Sequence, residues 1–545
     1  MTKLDGLIPE LAREESWPSV VVLTGDAGDG KTQFCAKLAD SLGHVGPLMP
    51  VTPVNHWVII KDASEIPEAD LVEILQGASH DSGRRILVAI NEGRLRRLAR
   101  GALSKRQDLV ERVIRPSLET WLSEADAAGL EEAMRAHRWL VLNFRHRFHV
   151  RAATPALLDA WTRAELWEDG AACGSCSARE TCPILANVTD LRAEKPRAML
   201  CDALASVHFS GQRLPLRRLQ AVVALACTGG LSCEKLAENE LGAMERLRYR
   251  YYDVLFAREA VAQPIRVEPE LLCRSLAPLD PGRMARRDVD REIALAAIGE
   301  SEATSQALPP LERAALEEVR ATGRSGDEEA TSVSGKLALL TRHLRRLLAF
   351  SRADDSADWQ RALRLLEGFA RDGDDTALLE GLTQGLNGLH RQGGNKERIT
   401  SRQLDPGGFR EPARLALELD LGLRFEARLE RGPVLPEEAV APWMESCPAD
   451  LYLVVAAEGD PQSSARLHLD ARLVAALLGS REGFVQLGAL GSYRRDLARF
   501  FGRLVTLAAS REPGPRVILR RGGERRALDV VDHDETPRLV MEVDA

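Results

Sequence analysis

The stretch Val20-Val21-Val22-Leu23-Thr24-Gly25-Asp26-Ala27-Gly28-Asp29-Gly30-Lys31-Thr32 decides the reading of this chain. A β-branched run leads into a glycine-rich turn, and an apolar, Ala-containing segment follows through Leu38. Strand, loop and helix in that order are the setting of a phosphate-binding P-loop, G-x-x-x-x-G-K-T. Gly25, Gly28 and Gly30 let the backbone turn tightly, so that loop N–H groups, that of Asp29 included, can point at a phosphate at the start of the helix. Lys31 adds a flexible positive charge for the β- and γ-phosphates, and the Thr32 hydroxyl is placed to ligate Mg²⁺. ATP with Mg²⁺ is the expected ligand. The carboxylates of Asp26 and Asp29 would repel phosphate, so both side chains are expected to point away.

Downstream, His56 to Ile60 reads as a short buried strand and Ile66 to Gln76 as an amphipathic helix. Arg85 to Ile90 is a further apolar strand that ends at Asn91-Glu92-Gly93. A strand end of this kind is where an NTPase presents carboxylates to the metal and the attacking water. The usual pair is acidic-acidic, whereas here Asn91 offers a weaker, uncharged ligand to a metal-bound water. Glu92 is the candidate for orienting or deprotonating that water. Trp139-Leu140-Val141-Leu142 is a third strand ending in a polar residue, Asn143, which can reach the γ-phosphate or the water; a simple turn cap is the competing reading.

The chain has 545 residues, which is room for two to four domains, and 45% hydrophobic with 28% charged residues suits a globular protein. No run approaches the length of a membrane span and Met1 to Asp5 does not read as a signal peptide, so a cytoplasmic location is expected. The net charge of −8 means that nucleic-acid contact would need local basic patches. Two are visible: Arg94, Arg96, Arg97 and Arg100 with Lys105 and Arg106, and Arg342, Arg345 and Arg346 on a later helix. Solvated helix faces or salt bridges explain such clusters equally well.

Nine cysteines, most of them isolated, do not form a secreted disulfide framework. Cys173-Gly174-Ser175-Cys176 and Cys182-Pro183 make a C-x₂-C-x₅-C-P arrangement that suits structural Zn²⁺, with Cys201 first choice for a fourth ligand and His208 and His149 behind it. An iron-sulfur cluster and unliganded loop cysteines are the alternatives.

From Val207 to Leu236 come Pro215, Arg217 and a mostly apolar helix stopped by Gly229-Gly230. Ala321 to Ser332, in a stretch near 321–335, loses periodicity and reads as a mobile loop or linker; helices resume over Leu337 to Phe350 and Trp359 to Ala370. Beyond Asn395, alternating segments such as Leu415 to Asp420 and Asp450 to Val455 read as strands, with helices at Ala471 to Leu478 and Tyr493 to Ala508. Asp529, Asp532, His533 and Asp534 read as a charged turn rather than a metal site. The expected layout is an ATPase core over 1–165, a Cys-rich insertion over 166–190, a helical lid over 191–300, a helical region over 301–395 and an α+β interaction domain over 396–545.

Three apolar strands with polar ends, in this order, resemble the additional-strand P-loop ATPases of AAA+ type over about residues 15 to 150. The resemblance implies an α/β core, a parallel sheet flanked by helices, and a lid whose arginine reaches back to the nucleotide. Arg217 is the match for that arginine and Arg213 the second choice. It further implies homo-oligomers with an arginine supplied by a neighbouring subunit, for which Arg145, Arg147 and Arg163 are open. Gly25 to Thr32, Asn91-Glu92-Gly93, the Cys-x₂-Cys-x₅-Cys-Pro insertion and the Pro-Leu-Arg lid together resemble the DptF-type ATPase subunits of DNA phosphorothioation-dependent restriction. That narrower resemblance covers about the first 300 residues. It implies an ATP-driven component of a prokaryotic defence complex that works with partner subunits, with DNA a candidate partner. A slowly hydrolysing, nucleotide-dependent switch that does not touch DNA is the second reading, favoured by Asn91.

Overall fold

The computed structural model describes residues 3–13, 17–77, 83–119, 124–167, 171–174, 176–210, 212, 214–238, 241–256, 275–283, 287–325, 330–351, 358–373, 376–389, 416–420, 425–431, 444–445, 451–457, 460–481, 491–509, 516–521, 524–533 and 536–540. They fall into two units, one of residues 1–355 with 433–447 and the other of 356–432 with 448–545.

The first unit is built on a sheet of β1 (Val20–Thr24), β2 (Val51–Val54), β3 (Trp57–Ile60), β4 (Arg85–Ala89) and β5 (Trp139–Asn143), in the order β2-β3-β4-β1-β5. β1 runs parallel to both β4 and β5, and β3 runs parallel to β4. Every residue of β1, β3, β4 and β5 is buried, as parallel strands covered on both faces must be; this is why they read as continuous apolar runs. β2 departs from the expected all-parallel sheet: it pairs antiparallel with β3 through a tight turn in which Asn55 takes φ +52°. The helices α1 (Lys3–Ala12), α2 (Lys31–Ser41), α3 (Glu68–Gln76) and α4 (Glu92–Arg100) flank the sheet, and Leu7, Leu11, Phe34, Leu38, Leu71, Leu75, Leu95 and Leu98 join its core. The fold is therefore an α/β core on a mostly parallel five-stranded sheet.

At the lower edge, Arg85 is buried inside the core; its guanidinium donates to Pro18 O at 3.0 Å and Leu11 O at 2.7 Å and lies 4.0 Å over the Trp57 ring. Burial is the first cause of its lowered pKa, and Arg138 adds to it. These bonds tie α1 to the sheet and leave the opposite, C-terminal edge for the loops.

After β5 come the helices Val150–Trp161, Glu194–Phe209 and Leu216–Thr228, which pack on one another. The last is stopped by Gly229, at φ +64°, where a Cβ would stand 2.1 Å from the Tyr249 carbonyl oxygen. Gly229→Ala is therefore expected to cost about 2–3 kcal/mol, from left-handed strain plus displacement of Tyr249. The check is a drop of several degrees in the melting midpoint of this unit.

The stretch expected to be a mobile loop is largely helical: Pro310–Ser325 and Ala330–Ser351 are helices, and only 326–329 lie outside the described residues. Thr322 Oγ1 back-bonds to Glu318 O at 2.9 Å and accepts from Lys336 Nζ at 3.3 Å, so polar side chains that read as loop are satisfied within and between helices.

In the second unit, β7 (Phe425–Arg431), β8 (Leu451–Ala457) and β9 (Asp460–Leu469) form an antiparallel sheet. β6 (Ala416–Asp420), β10 (Arg516–Arg521), β11 (Glu524–His533) and β12 (Thr536–Val540) form a second one, in the order β12-β11-β10-β6. Asp529, Asp532 and His533 lie on β11, and Asp534 is outside the described residues. Helices Asp358–Asp372 and Thr376–Leu389 belong to this unit and pack on Ala471–Arg481, so the division falls at 356.

Candidate functional site

β1 delivers the loop to the C-terminal edge of the sheet, between the ends of β4 and β5, and α2 starts from it. Crevices at that edge of an open α/β sheet are where ligands bind. Gly25, Gly28 and Gly30 take φ of +133°, +92° and +94°. Gly30 caps α2 without a side chain, so no side chain competes with an anion for the N–H groups of the first turn.

Lys31 folds back into this loop. Its ammonium donates to Gly25 O at 3.1 Å and Asp26 O at 2.6 Å. Burial is the first cause of its lowered pKa, opposed by the carboxylates of Asp29, Asp26 and Asp62. The two loop acids behave differently from one another. Asp26 is exposed and stands 3.9 Å from Arg145, as expected of a side chain turned outward. Asp29 is not turned outward: it is buried, with Oδ2 accepting from the Asp26 N–H at 2.6 Å, and it fills the space beside Gly25. It braces the turn that presents the glycines.

A further carboxylate near the loop follows the end of β3, one strand beyond β4. Thr32 Oγ1 donates to Lys61 O at 3.4 Å, and the carboxylate of the next residue, Asp62, acts on the Lys31 ammonium from outside the loop. Asp62 is held by its own turn, with Oδ1 accepting from Ser64 N at 2.8 Å and Ser64 Oγ at 2.7 Å. Sequence reading missed it, although the signal was there: the apolar run Trp57–Ile60 is followed at once by Lys61-Asp62.

Asn91 instead caps α4, its Oδ1 accepting from Arg94 N at 2.9 Å. Glu92 is held between two arginines: Arg96 Nε donates to Oε1 at 2.9 Å and Arg145 Nη1 to Oε2 at 3.3 Å. Asn143 is buried, donates to Ser117 O at 3.2 Å and accepts from Arg145 N at 3.2 Å, which is the turn-capping role. Both of its polar ends are thus engaged in holding the β5 corner.

The helix Leu216–Thr228 starts against the loop. Arg217 N donates to Gly28 O at 3.0 Å, and a Cβ on Gly28 would stand 2.7 Å from Arg217 Cβ and 3.2 Å from its Nε. Arg217 thus starts its helix directly over the second glycine, while Arg213 lies outside the described residues. Of the other arginines, Arg145 turns to Glu92 within its own chain, Arg147 donates to Glu445 at 3.0 Å, and Arg163 is exposed just after the helix Val150–Trp161, its Nε donating to Ala160 O at 3.1 Å.

The basic patches are partly consumed internally. Arg345 pairs with Asp290 at 2.6 Å and Arg346 with Asp280 at 2.7 Å, both within the helical layer, and Arg94 donates to Ile66 O. Arg97, Arg100, Lys105 and Arg106 remain exposed on the core.

Among the described cysteines none forms a disulfide. Cys173, Cys176 and Cys182 sit together in the insertion, whereas Cys201 is buried in helix Glu194–Phe209, where Arg151 Nη1 lies 3.7 Å from its Sγ. Among the described residues no group of three or more His, Cys, Asp or Glu is placed to hold a metal ion, so the expected set of Cys173, Cys176, Cys182 and Cys201 is not brought together, and none of the helices is long and apolar enough to cross a membrane. His149 is buried with its pKa pushed down to about 4, first by burial and then by Arg147. The His208 ring stacks 4.5 Å from that of Phe148. The chain matches no family model, and no curated protein and no solved structure is significantly similar to it.

Proposed function

We propose that this chain binds Mg·ATP at Gly25 to Thr32 and hydrolyses it, with Asp62 holding the metal through its waters and Glu92 orienting the attacking water. The observation that carries the reading is the convergence of four groups on one loop: Lys31 inside it, Thr32 and Asp62 at its metal corner, and Arg217 over Gly28. Lys31 exchanges the carbonyls of Gly25 and Asp26 for phosphate oxygens when nucleotide enters. The interposition of β4 between β1 and β3 supports an additional-strand arrangement, since the carboxylate then comes from β3 and the interposed strand ends in an uncharged polar residue, Asn91. Arg217 is the lid residue that would report the bound phosphate to the helices beyond.

The context we propose is a DptF-type subunit of a prokaryotic defence complex, in which the ATP cycle controls engagement of DNA or assembly with partner subunits. It rests on the sequence resemblance. The exposed Arg97, Arg100, Lys105 and Arg106 are the surface on which DNA would be met, and such binding would weaken steeply with salt. A tightly binding, slowly turning switch is the second reading. It is favoured by the arginine pair that holds Glu92 in place.

Two substitutions separate these assignments. Asp62→Asn is expected to cut Mg²⁺-dependent turnover by about a hundredfold while leaving nucleotide binding in EDTA unchanged. Asn91→Asp is expected to leave turnover unchanged or lower it, because the metal already has its acid and a cap is altered. A rise in turnover with Asn91→Asp, and indifference to Asp62→Asn, would return the metal to β4.

A further inference from the structure

A cavity of about 900 Å³ lies inside the helical layer of the first unit, and none of its lining residues belongs to the β1 loop. Its size is that of small-molecule sites, which run from roughly 300 to 1,000 Å³. The helices Arg287–Ala297, Glu302–Ala307, Pro310–Ser325 and Ala330–Ser351 pack on one another around it. The sequence explains why the space stays open. Glu302–Ala307 contributes Ala303, Thr304 and Ala307, side chains too short to fill it, while Ile293, Leu316, Leu344, Leu347 and Phe350 make a buried apolar wall.

One end of the cavity suits an anion. Ala193, Lys195 and Pro196 line it, and they are the start of the 16-residue helix Glu194–Phe209. No side chain caps that helix at Ala193, so its first N–H groups keep their demand for an acceptor. The Lys195 ammonium is buried and, among the described residues, has no hydrogen-bond partner. A buried cation in a first turn opposes the helix dipole and lacks a counter-charge, which is unfavourable unless an anion joins it. Nearby acids do not meet this need: Asp190 accepts from Arg250 Nη2 at 2.5 Å, and Glu194 is exposed.

We propose that this cavity binds a small monocarboxylate with an apolar body, of the acyl-chain class. Its carboxylate is taken by Lys195 and the uncapped N–H groups at the start of Glu194–Phe209, and its body lies against the wall of Leu316, Leu344, Leu347 and Phe350. The Lys195 stem lines the cavity, and rotation about that flexible four-carbon chain brings the ammonium to the head group. A single negative charge fits better than a phosphate, because Asp190 and Glu292 line the same cavity and repel a second one. The site stands apart from the nucleotide reading, and neither depends on the other.

The test is titration calorimetry of the full-length protein with decanoate, kept below its micelle concentration, beside decanol and decyltrimethylammonium as probes with the same chain. Decanoate is expected to bind saturably at one site per chain, about tenfold to a hundredfold more tightly than decanol, since its head adds a charge-assisted bond. The cationic probe should not bind. Lys195→Met keeps an apolar stem and removes the charge; it should bring decanoate down to the affinity of decanol, leave decanol unchanged and melt no lower than wild type without ligand. Should the variant not fold, the comparison of head groups on the wild-type protein still decides. Equal affinity for decanoate and decanol, unchanged decanoate affinity in Lys195→Met, absence of saturable binding, or binding to anionic phospholipid vesicles without binding of decanoate would each overturn the proposal.

Discussion

Lys31→Ala is expected to abolish the stabilisation by ATP that the proposed site implies, and to lower the proposed turnover by about a hundredfold to a thousandfold. The ammonium is poised inside the loop on Gly25 O and Asp26 O, so its replacement by phosphate oxygens needs only a rotation of one side chain. Charge-assisted bonds of this kind contribute about 1.5–3 kcal/mol each, and two of them account for the expected loss. Ligand present at a hundredfold excess over its dissociation constant stabilises a folded unit by about 2.7 kcal/mol, which a melting curve resolves easily. Lys31 is half-buried at the first turn of α2 and holds two loop carbonyls, so the melt of the variant without nucleotide is the baseline against which its ATP-dependent shift is read. An unchanged ATP-dependent shift in Lys31→Ala would place nucleotide binding elsewhere.

Arg250→Met is the second large effect, and it concerns folding. Arg250 is 1% exposed and donates to Glu312 at 3.1 Å, to Asn187 at 3.1 Å and to Asp190 at 2.5 Å. Glu312 in turn accepts from Tyr252 at 3.1 Å and meets His343, which pairs with Asp253, and Arg346 joins Asp253 to Asp280. Removing the arginine leaves Glu312 buried without its main counter-charge, a change that costs about 3–5 kcal/mol. Acid titration gives the same network a second signature. Burial pushes the Glu312 carboxyl up, but Arg250 and His343 outweigh it and bring its pKa from 4.5 down to about 2. A carboxylate depressed in this way contributes stability above pH 4.5 that is lost as pH falls towards 2. His343 is shifted the other way: burial lowers its pKa, Asp253 and Glu312 raise it further, and its contribution is full below 6.5 and fades as pH rises through its higher folded value. Chemical denaturation of the wild-type protein should therefore lose stability between pH 4.5 and 2, and Arg250→Met should flatten that loss. A variant as stable as wild type, with the same acid slope, would show that the pairings carry no net stabilisation.

The parts of this molecule that were legible in its sequence are those whose physics is local. Three glycines, a lysine and a threonine between a β-branched run and a helix mark the strand, loop and helix of β1 and α2, whose phosphate binding we propose, without any knowledge of what packs on them. Pro215 and Gly229 likewise bound the lid helix, and Arg217 lands on the loop because that helix starts there. Asp62 was not singled out because the role we propose for it depends on sheet order: β4, with its conspicuous Asn91-Glu92, follows later in the chain but inserts between β1 and β3. The cluster Arg342, Arg345 and Arg346 shows the limit of charge counting. A sequence displays three cations on one helix, yet the aspartates that meet Arg345 and Arg346 come from Asp280 and Asp290, on other elements.

The central claim is that the β1 loop is a working Mg·ATP site. The most direct measurement is steady-state ATP turnover by the purified full-length protein in Mg²⁺ and in EDTA, with and without duplex DNA. The account predicts turnover that requires Mg²⁺ and rises when DNA is added; Mg²⁺-dependent binding with slow, DNA-indifferent turnover would select the switch instead. Absence of both binding and hydrolysis at millimolar ATP would contradict the account.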